Sequence, residues 1–176
     1  MKLPLPPTEK GAGAARVSSL DVLAPGFRRR WLRVDGWMRA GGHEPLVWET
    51  VRTNERQIYL YRFGREWDDG RGVVTNVYEA DDGWHFYGLA LDVICRRRLW
   101  KATPSFWRAL QTACAQEGLR WGGDWNMNGD CGDERLLDRP HVQFGPPMRV
   151  SPSPSAARLY AGGGRQAVWA VVGAAE

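Results

Sequence analysis

The sequence has no apolar run approaching the roughly 18 residues needed to cross a bilayer, so no membrane-spanning helix organises it. Its first residues are not expected to act as a secretion signal. Met1-Lys2-Leu3-Pro4-Leu5-Pro6-Pro7 is too rich in proline and too short in apolar character. The expectation is a protein that stays in the cytoplasm that made it until something else releases it. Cysteine is scarce: Cys95, Cys114 and Cys131 are odd in number and carry no CxxC spacing, which argues against a disulfide framework. Histidine is as scarce, with only His43, His85 and His141. No internal repeat is visible.

What is present is ordinary in bulk and unusual in detail. The 176 residues suffice for one domain with a real core, and 43% hydrophobic with 25% charged residues is a soluble globular profile. The net charge of +4 and pI near 9.2 suit a polyanionic partner, nucleic acid or an anionic cell wall, and equally suit plain solubility. Ten tryptophans are many for this length and are expected in the core or in a cleft wall.

Read in order, residues 1–20 form an irregular arm rich in Pro, Gly, Ala and Ser. Phe27, Trp31, Val34 and Met38 recur at helical spacing after Pro25, and Gly41-Gly42 ends that helix. Arg28, Arg29, Arg30 and Arg33 lie mostly off the apolar face, as a solvated surface would. Pro45–Val51 reads as a strand ending at Arg52, and Thr53 caps a helix over 54–63 that Gly64 closes. Val73–Val77 reads as a second strand. In Ala90–Ile94, alternation turns Leu91 and Val93 away from Asp92, so a buried strand can present one carboxylate. Thr103-Pro104 starts a helix that Gly118 stops, with Cys114 as a core residue. Leu119–Trp125 is a strand entering a tight turn, the loop 126–134 is of the kind that lines a site, and Leu137–Phe144 is the last strand. A proline-serine linker follows. The expected division is an arm over 1–20, a domain over 21–146, and a linker with a C-terminal tail over 147–176.

Two of the three histidines lie in strand-like segments beside carboxylates. His85, Asp92 and His141 could hold one zinc ion, which favours nitrogen and oxygen ligands and in catalytic sites keeps three protein ligands plus water. Gly88 lets the chain bend between His85 and Asp92. Such a site lowers the pKa of its water. Asp138, three residues before His141, could serve as the base if a kink at Pro140 breaks strand alternation. Arg52 could stabilise an oxyanion or hold a substrate carboxylate. Spacing alone leaves other readings open: a hydrogen-bonded core histidine for His85, a turn cap for Asp92, an ion-pair residue for Arg52. His43 is expected to be exposed and idle, and Cys131 is a poor fourth ligand.

Four linked motifs narrow these readings. Trp84-His85-Phe86-Tyr87-Gly88-Leu89-Ala90-Leu91-Asp92 resembles the S-x-H-x-x-G-x-A-x-D motif of the zinc D-alanyl-D-alanine carboxypeptidase and L-alanyl-D-glutamate endopeptidase family, which includes phage endolysins. Trp121-Gly122-Gly123-Asp124-Trp125 is similar to its W-G-G-D-W turn. Asp138-Arg139-Pro140-His141-Val142-Gln143-Phe144 is similar to its D-x-P-H-f-Q segment, and Glu49-Thr50-Val51-Arg52-Thr53 with Arg56-Gln57 to its E-T-x-R-T…R-Q stretch. The likeness covers roughly residues 24–145. It implies a compact α+β fold: a small antiparallel sheet carrying zinc, with helices on its other face. It implies His85, Asp92 and His141 as zinc ligands, Asp138 as catalytic base and Arg52, helped by Gln57, as the carbonyl-polarising residue. Trp84, Trp125 and the loop 126–134 are the expected substrate-side elements. Gly83 stands where the family has serine, a departure that alters loop contacts and spares the ligands.

The function expected is a zinc metallopeptidase cutting an amide of the peptide stem of bacterial peptidoglycan, a monomeric phage or prophage endolysin that neither enters membranes nor binds nucleic acid. The alternative is a basic, tryptophan-rich wall- or nucleic-acid-binding module on the same scaffold without catalysis.

Overall fold

The computed structural model describes residues 3–176. Its elements run α1 (Pro25–Ala40), β1 (Pro45–Glu49), α2 (Asn54–Tyr61), β2 (Ala90–Cys95), α3 (Pro104–Gln116), β3 (Leu119–Trp121), β4 (His141–Phe144) and α4 (Pro154–Val172). The four strands make one antiparallel sheet in the order β1-β2-β4-β3. This is the α+β architecture expected.

Strand alternation divides the sheet into two faces. Leu91 and Val93 of β2, Val142 and Phe144 of β4, and Leu119 and Trp121 of β3 enter the main core. There they meet Phe27, Trp31, Val34 and Met38 of α1 and Phe106, Leu110, Ala113 and Cys114 of α3. Phe27 and Trp31 are fully buried, and losing either ring would cost about 3–5 kcal/mol. Thr103 caps α3 by accepting from the Phe106 amide, and Thr53 caps α2 by accepting from the Arg56 amide. The opposite face carries Asp92, His141 and Gln143, all buried.

Strand β1 departs from alternation. Val47 pairs with Val93 and Glu49 with Asp92, so Trp48 is an extra residue, a β-bulge. The bulge lets Trp48 and Glu49 line the same cleft.

Three expected elements differ. Val73–Val77 is not a strand: Gly70 and Gly72 have positive φ and feed an irregular segment, in which Val73 and Val74 are exposed. β4 begins at His141, not Leu137, because Asp138–His141 is a turn closed by the His141 amide on the Asp138 carbonyl, with Pro140 lacking a ladder donor. β3 ends at Trp121, before the turn through Asp124.

Both ends of the described residues are fastened down. The arm remains irregular, but Ala14 is buried in a small second core with Tyr59, Leu60 and Phe63, and the Tyr59 hydroxyl donates to the Pro7 carbonyl. The C-terminal segment is helical, broken at Gly163–Gly164. Arg165 Nε donates to the Phe86 carbonyl and Trp169 Nε1 to the Tyr87 carbonyl, at 2.8 and 2.6 Å. No helix of the described residues is long and apolar enough to cross a membrane.

Candidate metal centre

Asp92 sits in the middle of the sheet, opposite Glu49 on one side and His141 on the other. His85 reaches it from the turn before β2. That turn closes with the Gly88 amide on the His85 carbonyl, and Gly88 takes φ +70, where a side chain would strike the Val22 carbonyl. This is the bend expected of Gly88. The side chains of His85, Asp92 and His141 converge, each offering one donor atom within 4.8 Å of the others. His85 Nε2 lies 3.2 Å from His141 Nδ1 and 3.3 Å from Asp92 Oδ1, and His141 Nδ1 lies 3.6 Å from the same oxygen. A tetrahedral ion with bonds of about 2.0–2.1 Å holds its ligands roughly 3.3–3.4 Å apart, so the donor set fits zinc without rearrangement.

Surrounding groups fix which atoms would face an ion. His85 Nδ1 lies 2.6 Å from the Thr50 carbonyl, which can only accept, so the proton is on Nδ1 and the lone pair on Nε2. Gln143 Nε2 donates to the carbonyls of Arg149 and Val150, which turns its Oε1 toward His141 Nε2 at 3.0 Å. His141 therefore donates from Nε2 and presents Nδ1. Thr50 is itself held by two hydrogen bonds to the Val17 carbonyl of the arm. The roles of Thr50 and Gln143 escaped sequence reading, although Gln143, two residues after His141 in a strand, had to share its face.

The charges are linked. Arg52 donates from Nε to Glu49 at 2.8 Å and from Nη2 to the second Asp92 oxygen, while Glu49 also accepts from Arg56 Nε at 2.6 Å. Burial works against the Asp92 carboxylate, but His85 and Arg52 together hold it well below the usual range. Burial, seconded by Arg52, lowers His85, keeping the imidazole neutral. Burial opposes a charge on His141, yet its bond to Asp92 and the nearby Asp138 carboxylate raise it. Burial of the Arg52 guanidinium is outweighed by Asp92 and Glu49, so it stays charged.

Asp138 leaves the turn before β4, partly open to solvent but crowded by the site; lost hydration and the Asp92 charge push its carboxyl up against the pull of His141. It lines a cleft of about 630 Å³ together with Arg52, Asp92 and Pro140. Trp125 stands beside the ligands, its ring 5.3 Å from that of His141. Trp84 does not join them: it is buried in the core and donates Nε1 to the Arg149 carbonyl. Gln57 is also drawn inward, its amide holding the Val77 carbonyl and Thr75 of the cleft rim. His43 is half-buried, edge-on to Phe106, rather than exposed. Cys131 packs at the core edge, its thiol pushed up by burial and by Asp124 and Asp130, and lies outside the ligand cluster. A side chain at Gly83 would meet only the Ala80 carbonyl at 3.6 Å, so the missing serine does not disturb the ligands.

The segment that carries these residues is similar to known proteins. Residues 79–144 match the D-alanyl-D-alanine carboxypeptidase family. An L-alanyl-D-glutamate peptidase of Listeria phage A118 is 26% identical over 132 residues, covering 73% of this chain. The chain spans 40% of that relative's length. Among solved structures, the Serratia marcescens L-Ala D-Glu endopeptidase ChiX superposes with a TM-score of 0.50 at 18% identity, covering 78% of this chain and 95% of ChiX. The LdcB LD-carboxypeptidase gives 0.49 at 14%, covering 69% and 58%. The family-matched segment runs from the acidic turn before His85 to the last strand of the sheet and contains His85, Asp92, Asp138 and His141.

Proposed function

We propose that this protein is a zinc-dependent peptidase that hydrolyses an amide bond in the peptide stem of bacterial peptidoglycan, in the manner of a phage endolysin. The observation that carries the reading is the convergence of His85 Nε2, His141 Nδ1 and Asp92 Oδ1 at tetrahedral spacing beside an open cleft. The name of the phage relative supports the L-Ala–D-Glu bond as the one cut.

His85, Asp92 and His141 would hold the zinc. When bound, the ion supplies Lewis-acid activation of water and of the scissile carbonyl. Asp138, its carboxyl pushed up by burial and the Asp92 charge, takes the proton from the attacking water and passes it to the leaving amine. Arg52 lines the cleft, and its Nη1 makes no hydrogen bond within the described residues. That free donor suits the charge developing on the carbonyl oxygen. Glu49 and Asp92 grip the other guanidinium nitrogens, so the donor needs little reorganisation. Trp125 walls the site beside His141.

The test is turbidity loss of purified cell walls with the zinc-loaded protein, with and without chelator, followed by mass spectrometry of the fragments. New amino termini on D-Glu are expected. Intact walls with zinc-loaded protein would refute the activity, and termini elsewhere would reassign the bond.

A further inference from the structure

The cleft has four arginines in its lining, and three of them are paired. Arg52 binds Glu49 and Asp92, Arg56 binds Glu49 and Glu9, and Arg71 binds Asp69. Arg16 has no ion pair among the described residues. Its guanidinium lies 3.6 Å from the ring centroid of Trp48, the bulge residue, which stands edge-on to Trp100 at 5.3 Å.

Arg16 is nevertheless well placed. Ala14 is buried in the small second core, and the Val17 carbonyl accepts from both the amide and hydroxyl of Thr50, so the backbone is anchored on either side. Stacking on an indole restricts the long side chain while leaving the edge of the guanidinium free to bind a planar anion in two places. The covered indole face is unavailable for stacking on a sugar. An anchored, unpaired guanidinium in the same cleft as Asp138 and the metal ligands calls for an anion on the substrate.

We propose that Arg16, supplied by the N-terminal arm, is a specificity-determining residue that binds a free carboxylate of the peptide substrate. The inference rests on the peptidase reading above. The carboxylate has two possible sources, the α-carboxylate of the D-Glu residue and the C-terminal carboxylate of the stem.

Three stem peptides separate them: one with both groups free, one with the D-Glu α-carboxylate amidated, and one with the C-terminus amidated. On the free peptide, Arg16→Gln should lower kcat/KM about tenfold, chiefly through KM, with Arg16→Lys recovering part of the loss. In the wild type, amidating the bound carboxylate should cost a similar factor, and combining that peptide with Arg16→Gln should add no further loss. Losses that multiply, indifference of the wild type to both amidations, or a fall confined to kcat would overturn the role of Arg16. Failure of the zinc-loaded wild type to cleave any of the three would sink the peptidase reading and this inference with it.

Discussion

Gln143 decides which nitrogen of His141 faces the metal position. Its amide nitrogen is committed to two carbonyls, of Arg149 and Val150, so its oxygen must accept from His141 Nε2. Replacing Gln143 with Leu removes that acceptor while keeping the bulk. Zinc affinity, measured by competition with a chelating dye, should fall about 10–100-fold with little change in far-ultraviolet circular dichroism. Affinity equal to wild type would show that the strand alone orients the ring.

Asp138 is not among the converging donors, so its loss should separate binding from turnover. Asp138→Asn should retain stoichiometric zinc and lose about 10²–10⁴-fold in kcat. By contrast His141→Ala should lose the ion and, with it, the stability that ligand binding adds to folding. Elemental analysis and thermal melts on both variants are the measurement. Full activity in Asp138→Asn would move the base elsewhere.

Protons and zinc should compete at His141. Its folded pKa lies above the usual value near 6.5, so its proton stabilises the metal-free fold below that pH. That contribution is lost as pH rises through the raised value. His85 is held neutral by its depressed pKa and has no proton to give up. Zinc affinity should therefore weaken by about tenfold per pH unit below the His141 value, with one proton released per ion. A flat affinity between about pH 6 and pH 8 would contradict this.

Two glycines should respond in opposite directions. A side chain on Gly122 would run into the Asp138 carbonyl and press on His141 Cβ and the Trp125 ring at 3.1 Å. Gly122→Ala should cost about 1–3 kcal/mol, lowering Tm by several degrees, and should also weaken zinc binding by shifting the turn. Gly36 lies on the exposed side of α1 with open space around it. Gly36→Ala should stabilise by roughly 0.5–1 kcal/mol. Differential scanning calorimetry on the pair would reveal equal effects if the crowding at Gly122 were harmless.

Much of this arrangement could be read from residue order. The helical spacing of Phe27, Trp31, Val34 and Met38, the cap at Thr103-Pro104 and the alternation around Asp92 each point to one local structure, and each forms as expected. Legibility stopped where tertiary partners decide. Val73–Val77 has β-branched residues but pairs with no strand of the sheet. Trp84 looks like a site residue by its place next to His85, yet the turn sends its indole into the core. The acceptor for His85 is a backbone carbonyl, that of Thr50, which no side-chain pattern announces. The bulge at Trp48 depends on a register with β2 that only the assembled sheet defines.

Arg165 and Trp169 hold the two carbonyls that directly follow His85. The distal helix thus serves as a splint for the ligand turn. A recombinant chimera spliced at the proline-rich stretch 146–154 would strip that splint, uncover apolar surface around Val168 and loosen the histidine from behind. Any fusion past residue 176 needs a spacer long enough to leave Ala174 seated against Gly26.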